Sequence, residues 1–125
     1  MTQLSLPSAG KKQELLASLF NEHTKKMIMV ALDDSAITGP ELGLRDMQAA
    51  IETAVKQNPE AIMGFAGMFA RYGESLGQVR GILNITLSSD GPHHLNKVLV
   101  GTVEEALELG LTAVSVHVNT TSPNE

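Results

Sequence analysis

Short apolar runs separated by amphipathic stretches give this chain a repeated strand–helix rhythm. Four of these runs predict buried strands, because short segments rich in apolar or β-branched residues are typical of parallel sheets. The predicted strands span residues 27–32, 61–65, 81–87 and 113–118, and a further β-rich run covers residues 97–100.

Apolar positions at helical spacing predict helices between these strands. The predicted helices span residues 11–23, 40–55 and 102–109, with a short helix or turn at 68–72. Pro40 suits a first helical turn, and Gly110 suits the position just past a helix end.

This alternation predicts a parallel α/β fold, in which right-handed crossovers connect neighbouring strands. Two architectures fit it: the amino-terminal half of a (β/α)8 barrel with about four strands and a leading helix, or a small doubly wound sheet. The stretch Asp33-Asp34-Ser35 follows the first strand where a dinucleotide fold would carry its glycine-rich fingerprint. A complete barrel takes about 250 residues, twice this length. We therefore expect a loose tail at residues 1–10 and a partial barrel domain at 11–125 that stops after its fourth strand.

Composition narrows the function classes. The chain has 125 residues, a formal charge of −5 and no cysteine. Thiol chemistry and cysteine-ligated metals are thereby excluded, and the acidic balance argues against a nucleic-acid partner. No apolar run is long enough to cross a membrane, so we expect a cytoplasmic protein with no membrane partner.

Polar side chains cluster where predicted strands end, which is where α/β proteins place their chemistry. Asp33 and Asp34 end the first strand, and they are either proton-transfer and hydroxyl-positioning groups or ordinary loop-start residues. Asp33 is the better catalytic candidate, because strand alternation turns it away from the face that carries Leu32.

Two further pairs share a strand face at a spacing of two residues. Asn84 and Thr86 lie on the third predicted strand, while His117 and Asn119 end the fourth. Each pair is either a set of substrate hydrogen-bond partners or a structural polar contact. Together with Asp34 they are the candidate substrate-binding residues.

We expect neither a metal nor a cofactor. His93 and His94 are adjacent on a predicted loop, and adjacent histidines chelate one ion poorly without a third ligand. A surface loop is the simpler interpretation of this pair.

Longer segments of the sequence resemble a known family. The order LLASLFN, MIMVALDDSAITGP, NITLSS and KVLVGTVEEALELGLTAVSVHVN is similar to the amino-terminal half of the DhnA-type class I aldolases. This family includes fructose-bisphosphate aldolases and the related aminodeoxyheptulosonate synthases. The resemblance covers residues 13 to 119.

The resemblance implies a (β/α)8 barrel. It also implies an enzyme that makes or breaks a carbon–carbon bond between a ketose phosphate, such as dihydroxyacetone phosphate, and an aldehyde through a lysine Schiff base. It matches Asp33 to the catalytic aspartate of the family, and His117 and Asn119 to the polar end of strand four. Thr86 stands where a histidine is common, and Asp34-Ser35 replace a usual His-Gly. Thr121 replaces a common glycine.

The resemblance also implies that the acid–base tyrosine, the Schiff-base lysine and the phosphate site belong to strands five to eight. Lys97 opens a β-rich run and is not expected to replace that lysine. Three hypotheses follow. The chain is an inactive first half of an aldolase, or it is part of a synthase of the transaldol type. Alternatively, it is a non-catalytic half-barrel that forms homo-oligomers or binds a carboxyl-terminal half through its open edges.

Overall fold

The computed structural model describes residues 8–120, and its regular elements alternate between strands and helices. Residues 1–7 of the predicted tail, and Thr121, lie outside the described residues. The strands are β1 Met29–Ala31, β2 Ala61–Gly64, β3 Arg80–Asn84, β4 Thr86–Leu87, β5 Val98–Leu99 and β6 Ala113–Ser115. The helices are α1 Ala9–Ala17, α2 Ser35–Thr38, α3 Met47–Val55, α4 Ala66–Tyr72 and α5 Val103–Glu108, with 3₁₀ turns at Leu42–Leu44, Gly73–Leu76 and Gly91–His93.

The four predicted apolar runs form one parallel sheet in the order β1-β2-β3-β6. Val30 pairs with Ile62, Met63 with Ile82, and Leu83 with Val114. The predicted α/β class is confirmed, and four parallel strands in this order are consistent with half of a (β/α)8 barrel.

The third predicted strand was wrong in its length. β3 ends at Asn84, and Thr86–Leu87 leaves the sheet to pair antiparallel with Val98–Leu99. The side chain of Asn84 explains the break, because its Oδ1 accepts a hydrogen bond from the Thr86 backbone N–H at 3.1 Å. A local side-chain acceptor of this kind competes with the regular ladder.

The second predicted helix was wrong in its start. It begins at Met47 rather than Pro40, because the Asp46 carboxylate accepts from the Ala49 N–H at 3.0 Å and caps the helix. The first helix starts earlier than predicted, at Ala9, where the Ser8 hydroxyl accepts from the Lys11 N–H.

Helix α5 follows its prediction closely. Thr102 and Glu105 form a reciprocal capping box at its start. Gly110 has a φ of 67° just beyond its end, a conformation that favours glycine. This unit returns the chain to the sheet, where β6 forms one of the two edge strands of the described part of the chain.

The main core lies on one face of the sheet, against α3, α4 and α5. Its buried members include Ile51 from α3, Phe69 from α4 and Ala106 from α5, with Ile62 and Leu83 from the strands. The opposite face carries a smaller cluster of Leu19, Ala61 and Ile82, with Met63 and Ala113 beside it. The helices therefore stabilise one face, while the other stays largely open.

Within residues 8–120, no helix is both long and apolar enough to cross a lipid bilayer.

The side chain of Glu60, just before β2, is hydrogen-bonded to the backbone just before β1. Glu60 accepts from the Ile28 backbone N–H at 2.7 Å and from the Asn21 side-chain amide at 3.3 Å. The hydrogen bond from Ile28 is the largest cause that lowers the pKa of Glu60, desolvation opposes it, and hydrogen bonds from its own backbone and from Asn21 add to the lowering.

We predict that Glu60 makes stability depend on pH in the acidic range. A lowered folded pKa stabilises the protein above the ordinary carboxyl value of 4.5, and this stabilisation is lost as the pH falls through the folded pKa. Glu60→Gln should flatten this dependence in denaturant unfolding measured at several pH values. Glu108→Gln is the control, and an equal flattening in both variants would contradict the prediction.

Candidate active site

A cleft of about 400 Å³ opens at the carboxyl-terminal edge of the parallel sheet. Its walls come from all four strands of the sheet or the loops that follow them, and from the β4–β5 hairpin. The lining residues are Ala31, Asp33, Asp34, Ile37, Met63, Asn84, Thr86, Ser88, His94, Lys97, Ser115 and His117. A cavity of about 490 Å³ beside α1 and α5 is lined mainly by aliphatic side chains and no carboxylate. The cleft at the sheet edge is therefore the better candidate for chemistry.

Asp33 lies directly beyond β1 and is buried, with 6% of its surface exposed. The ladder continues past the strand, since the Leu32 N–H donates to the Met63 carbonyl. Asp33 Oδ2 accepts from the Asn84 side-chain amide at 2.7 Å. Among the described residues no buried side-chain oxygen lacks a partner. The other oxygen, Oδ1, forms no hydrogen bond within residues 8–120. It is therefore not fully buried, and it is accessible from the cleft that Asp33 lines.

Asn84 connects this carboxylate to the rest of the cleft. Its Oδ1 accepts from both the backbone N–H and the hydroxyl of Thr86, at 3.1 and 3.2 Å. The Thr86 hydroxyl in turn accepts from the His117 backbone N–H at 2.9 Å. One buried network thus joins the ends of β1 and β3 to the loop after β6, and it fixes the orientation of Asp33.

The structure brings most of the predicted site residues together. Asp33, Asp34, Asn84, Thr86 and His117 all line the cleft. Asp34 is exposed at the start of α2, and the His117 side chain is exposed beyond the end of β6. Their roles as substrate-binding groups stay predictions.

Asn119 is not among the cleft residues. Its side-chain amide donates to the Leu95 carbonyl at 3.2 Å, so it ties the loop after β6 to the loop before β5. The reason is that β6 ends at Ser115, and the chain beyond it no longer follows strand alternation.

Sequence reasoning did not place Ser88 or Lys97 in the cleft, and it interpreted His94, which also lines the cleft, as part of a surface loop. The Lys97 ammonium donates to the Ser88 hydroxyl at 2.6 Å and to the His94 carbonyl at 3.0 Å. The available sequence signal was the β-rich run at residues 97–100, which pairs antiparallel with Thr86–Leu87. Leu87 pairs with Val98, and the next residues toward the hairpin tip are Ser88 and Lys97. A single parallel strand over residues 81–87, as the apolar pattern predicts, is incompatible with this antiparallel pairing.

Within residues 8–120, no three His, Asp or Glu side chains come together as a metal site.

Comparison with known proteins supports the resemblance to the aldolase-like synthases. No protein-family model matches the chain. A 2-amino-3,7-dideoxy-D-threo-hept-6-ulosonate synthase of Halobacterium salinarum is 29% identical over 101 residues, which cover 80% of this chain and 38% of the relative. A synthase of the same name, numbered 1, from Archaeoglobus fulgidus is 31% identical over 119 residues, covering 93% of this chain and 44% of the relative. The chain spans less than half the length of these relatives.

We predict that Asn84→Ala destabilises the fold by about 1–3 kcal/mol, because it leaves the buried Asp33 oxygen without its donor. In an Asp33→Ala background the cost of the same change should fall, since no carboxylate then remains to be paired. Urea unfolding of the two single variants and the double variant measures this coupling. Strictly additive losses would mean that the bond between Asn84 and Asp33 contributes nothing.

Proposed function

We propose that this chain forms part of an aldolase-like enzyme of the aminodeoxyheptulosonate synthase family, acting on a small polar carbonyl substrate. The observation that carries the proposal is the Asp33 carboxylate. It is buried, held by Asn84 and open to the cleft through one oxygen, at the sheet edge where α/β enzymes bind substrates. The two synthases to which the chain is similar support the reaction class.

Asp33 serves in this proposal as the proton-transfer group. During carbon–carbon cleavage its free oxygen takes the proton of a substrate hydroxyl as that carbon becomes a carbonyl. The electron pair of the broken bond stays on the other carbon, which is the α-carbon of the ketone partner. During bond formation the same proton returns to the new hydroxyl. Asn84 holds the other oxygen, so the carboxylate is oriented before the substrate arrives.

The electron sink for this reaction is proposed to lie outside these 125 residues. The family resemblance assigns it to a lysine Schiff base on a later strand, and Lys97 is already hydrogen-bonded to Ser88 and His94. By themselves the 125 residues are therefore proposed to be inactive. A cytoplasmic location is a separate part of the proposal. The names of the relatives favour a synthase over a simple fructose-bisphosphate aldolase.

A segment exchange tests this proposal. The 125 residues replace the matched segment of the Archaeoglobus fulgidus relative, and the synthase reaction of that relative is then assayed. We predict activity in the chimera and a loss of about 10²–10⁴-fold in kcat on Asp33→Asn, because the amide cannot accept the proton.

Asp46→Asn is the matched control, since Asp46 caps α3 and does not line the cleft. The isolated 125 residues should show no turnover and no mass change after borohydride treatment with dihydroxyacetone phosphate. An adduct on the isolated chain would contradict the assignment of the Schiff base to a later strand. An active Asp33→Asn chimera would contradict the role of Asp33.

We also propose that the sheet associates through its edge strands, either with a second copy or with a carboxyl-terminal half. Within residues 8–120, β1 pairs only with β2, and β6 only with β3. Exposed apolar residues flank both edges: Ile28 and Met29 at β1, and Val116 and Val118 beyond β6. Open edges with apolar neighbours favour pairing with another chain.

We predict that the chain forms dimers or larger species in size-exclusion chromatography with light scattering. Val116→Lys should shift the distribution toward monomer, because it adds charge beside the β6 edge. Leu42→Lys is the control, since Leu42 is 82% exposed on the 3₁₀ turn and lies outside β6 and the loop that follows it. A folded monomer at high concentration would contradict the association.

A further inference from the structure

Lys97 is a half-buried cation that forms no ion pair shorter than 4.0 Å within residues 8–120. Both of its recorded acceptors, the Ser88 hydroxyl and the His94 carbonyl, are neutral. Within residues 8–120 the ion pair recorded below 4.0 Å joins Lys11 to Glu14, so Asp33 and Lys97 share the cleft without forming a salt bridge. The charge of Lys97 is therefore not neutralised by a direct ion pair in the cleft.

The Lys97 ammonium also has unused donor capacity. It carries three N–H groups, and its two recorded hydrogen bonds leave one available. No hydrogen bond donated by the Ser88 hydroxyl is recorded within residues 8–120, and this serine is buried, with 5% exposure. The cleft thus presents a cationic N–H and a hydroxyl donor side by side.

The simplest alternative is a purely structural role, in which the two hydrogen bonds of Lys97 hold the loop between β4 and β5 in place. Hydrogen bonds to two neutral oxygens need a donor but no charge, so an uncharged side-chain amide could make the same structural contact. No other lysine or arginine of the described residues lines this cleft. The charge therefore fits an anionic group of a bound molecule better than it fits a purely structural contact.

We propose that Lys97 and Ser88 form an oxyanion subsite that binds a phosphate or carboxylate group of a small ligand in the cleft. Where Asp33 acts as proposed above, this subsite would hold the charged end of the substrate whose reacting carbon lies at Asp33. That link rests on the proposed function, whereas the binding of an anion at Lys97 does not.

The test uses the full 125-residue chain, ¹⁵N-labelled, with sodium phosphate or sodium acetate added in separate titrations at constant ionic strength. The expected result is a saturable shift of the backbone amides of Ser88, His94 and Lys97. Tighter binding of phosphate would assign the subsite to phosphate, and tighter binding of acetate would assign it to carboxylate. No saturable shift with either anion would overturn the proposal.

Matched variants distinguish anion binding by the charge of Lys97 from its structural hydrogen bonds. Lys97→Gln keeps an amide donor but removes the charge, and it should weaken binding by about tenfold, as expected for the loss of one charge-assisted hydrogen bond. Lys97→Arg should retain most of the affinity, and Lys11→Gln should match the unsubstituted chain. Unchanged affinity in Lys97→Gln would overturn the proposal.

Ser88→Ala provides a second, independent measurement should Lys97→Gln fail to fold. It removes the hydroxyl donor, so the expected result is weaker anion binding, and unchanged affinity would overturn the role of Ser88 in the subsite. Because these titrations require no catalysis, an inactive chimera would leave the anion result intact. An active chimera with no anion binding would remove the subsite alone.

Discussion

The site depends on one buried hydrogen bond, between the Asn84 amide and the Asp33 carboxylate. Through its other end Asn84 also accepts from Thr86, and Thr86 accepts from the backbone at His117. A single side chain therefore sets where β3 ends, how the carboxylate is oriented and where the loop after β6 lies. A carboxylate and an amide are complementary in this arrangement, because the carboxylate accepts while the amide both donates and accepts.

The sheet distributes its stabilisation unevenly. Its larger core faces the helices, while the opposite face has only the small cluster around Leu19, Ala61 and Ile82. The polar network lies at the carboxyl end of that less covered face. This division lets the fold be held together by the helical side while the other side keeps an accessible cleft.

The sequence predicted the class of fold and the positions of the sheet strands, because each strand lies in a short segment rich in apolar or β-branched residues. From the alternation of side chains it also predicted that Asn84 and Thr86 share one face and that Asp33 turns away from the face that carries Leu32. It could not predict the break at Asn84, because the break comes from a side-chain acceptor that has no periodic signature. The start of α3 was missed because Pro40 and Asp46 are both acceptable helix starts, and only the capping bond distinguishes them. The positions of Ser88 and Lys97 depended on the hairpin, and therefore on the same break.

The β4–β5 hairpin has a consequence for how such a site can evolve. Ser88 and Lys97 stand at the base of the excursion, next to the pairing of Leu87 with Val98, and the tip at Gly91–His93 lies beyond them. Substitutions at the tip leave the strand register, and with it the two polar groups, in place. Asp33 and Asn84 follow or end strands of the parallel sheet, and Asn84 contacts the hairpin only at its base, through Thr86. A substitution confined to the tip can therefore alter the rim of the cleft without altering the residues of the buried pair beneath it.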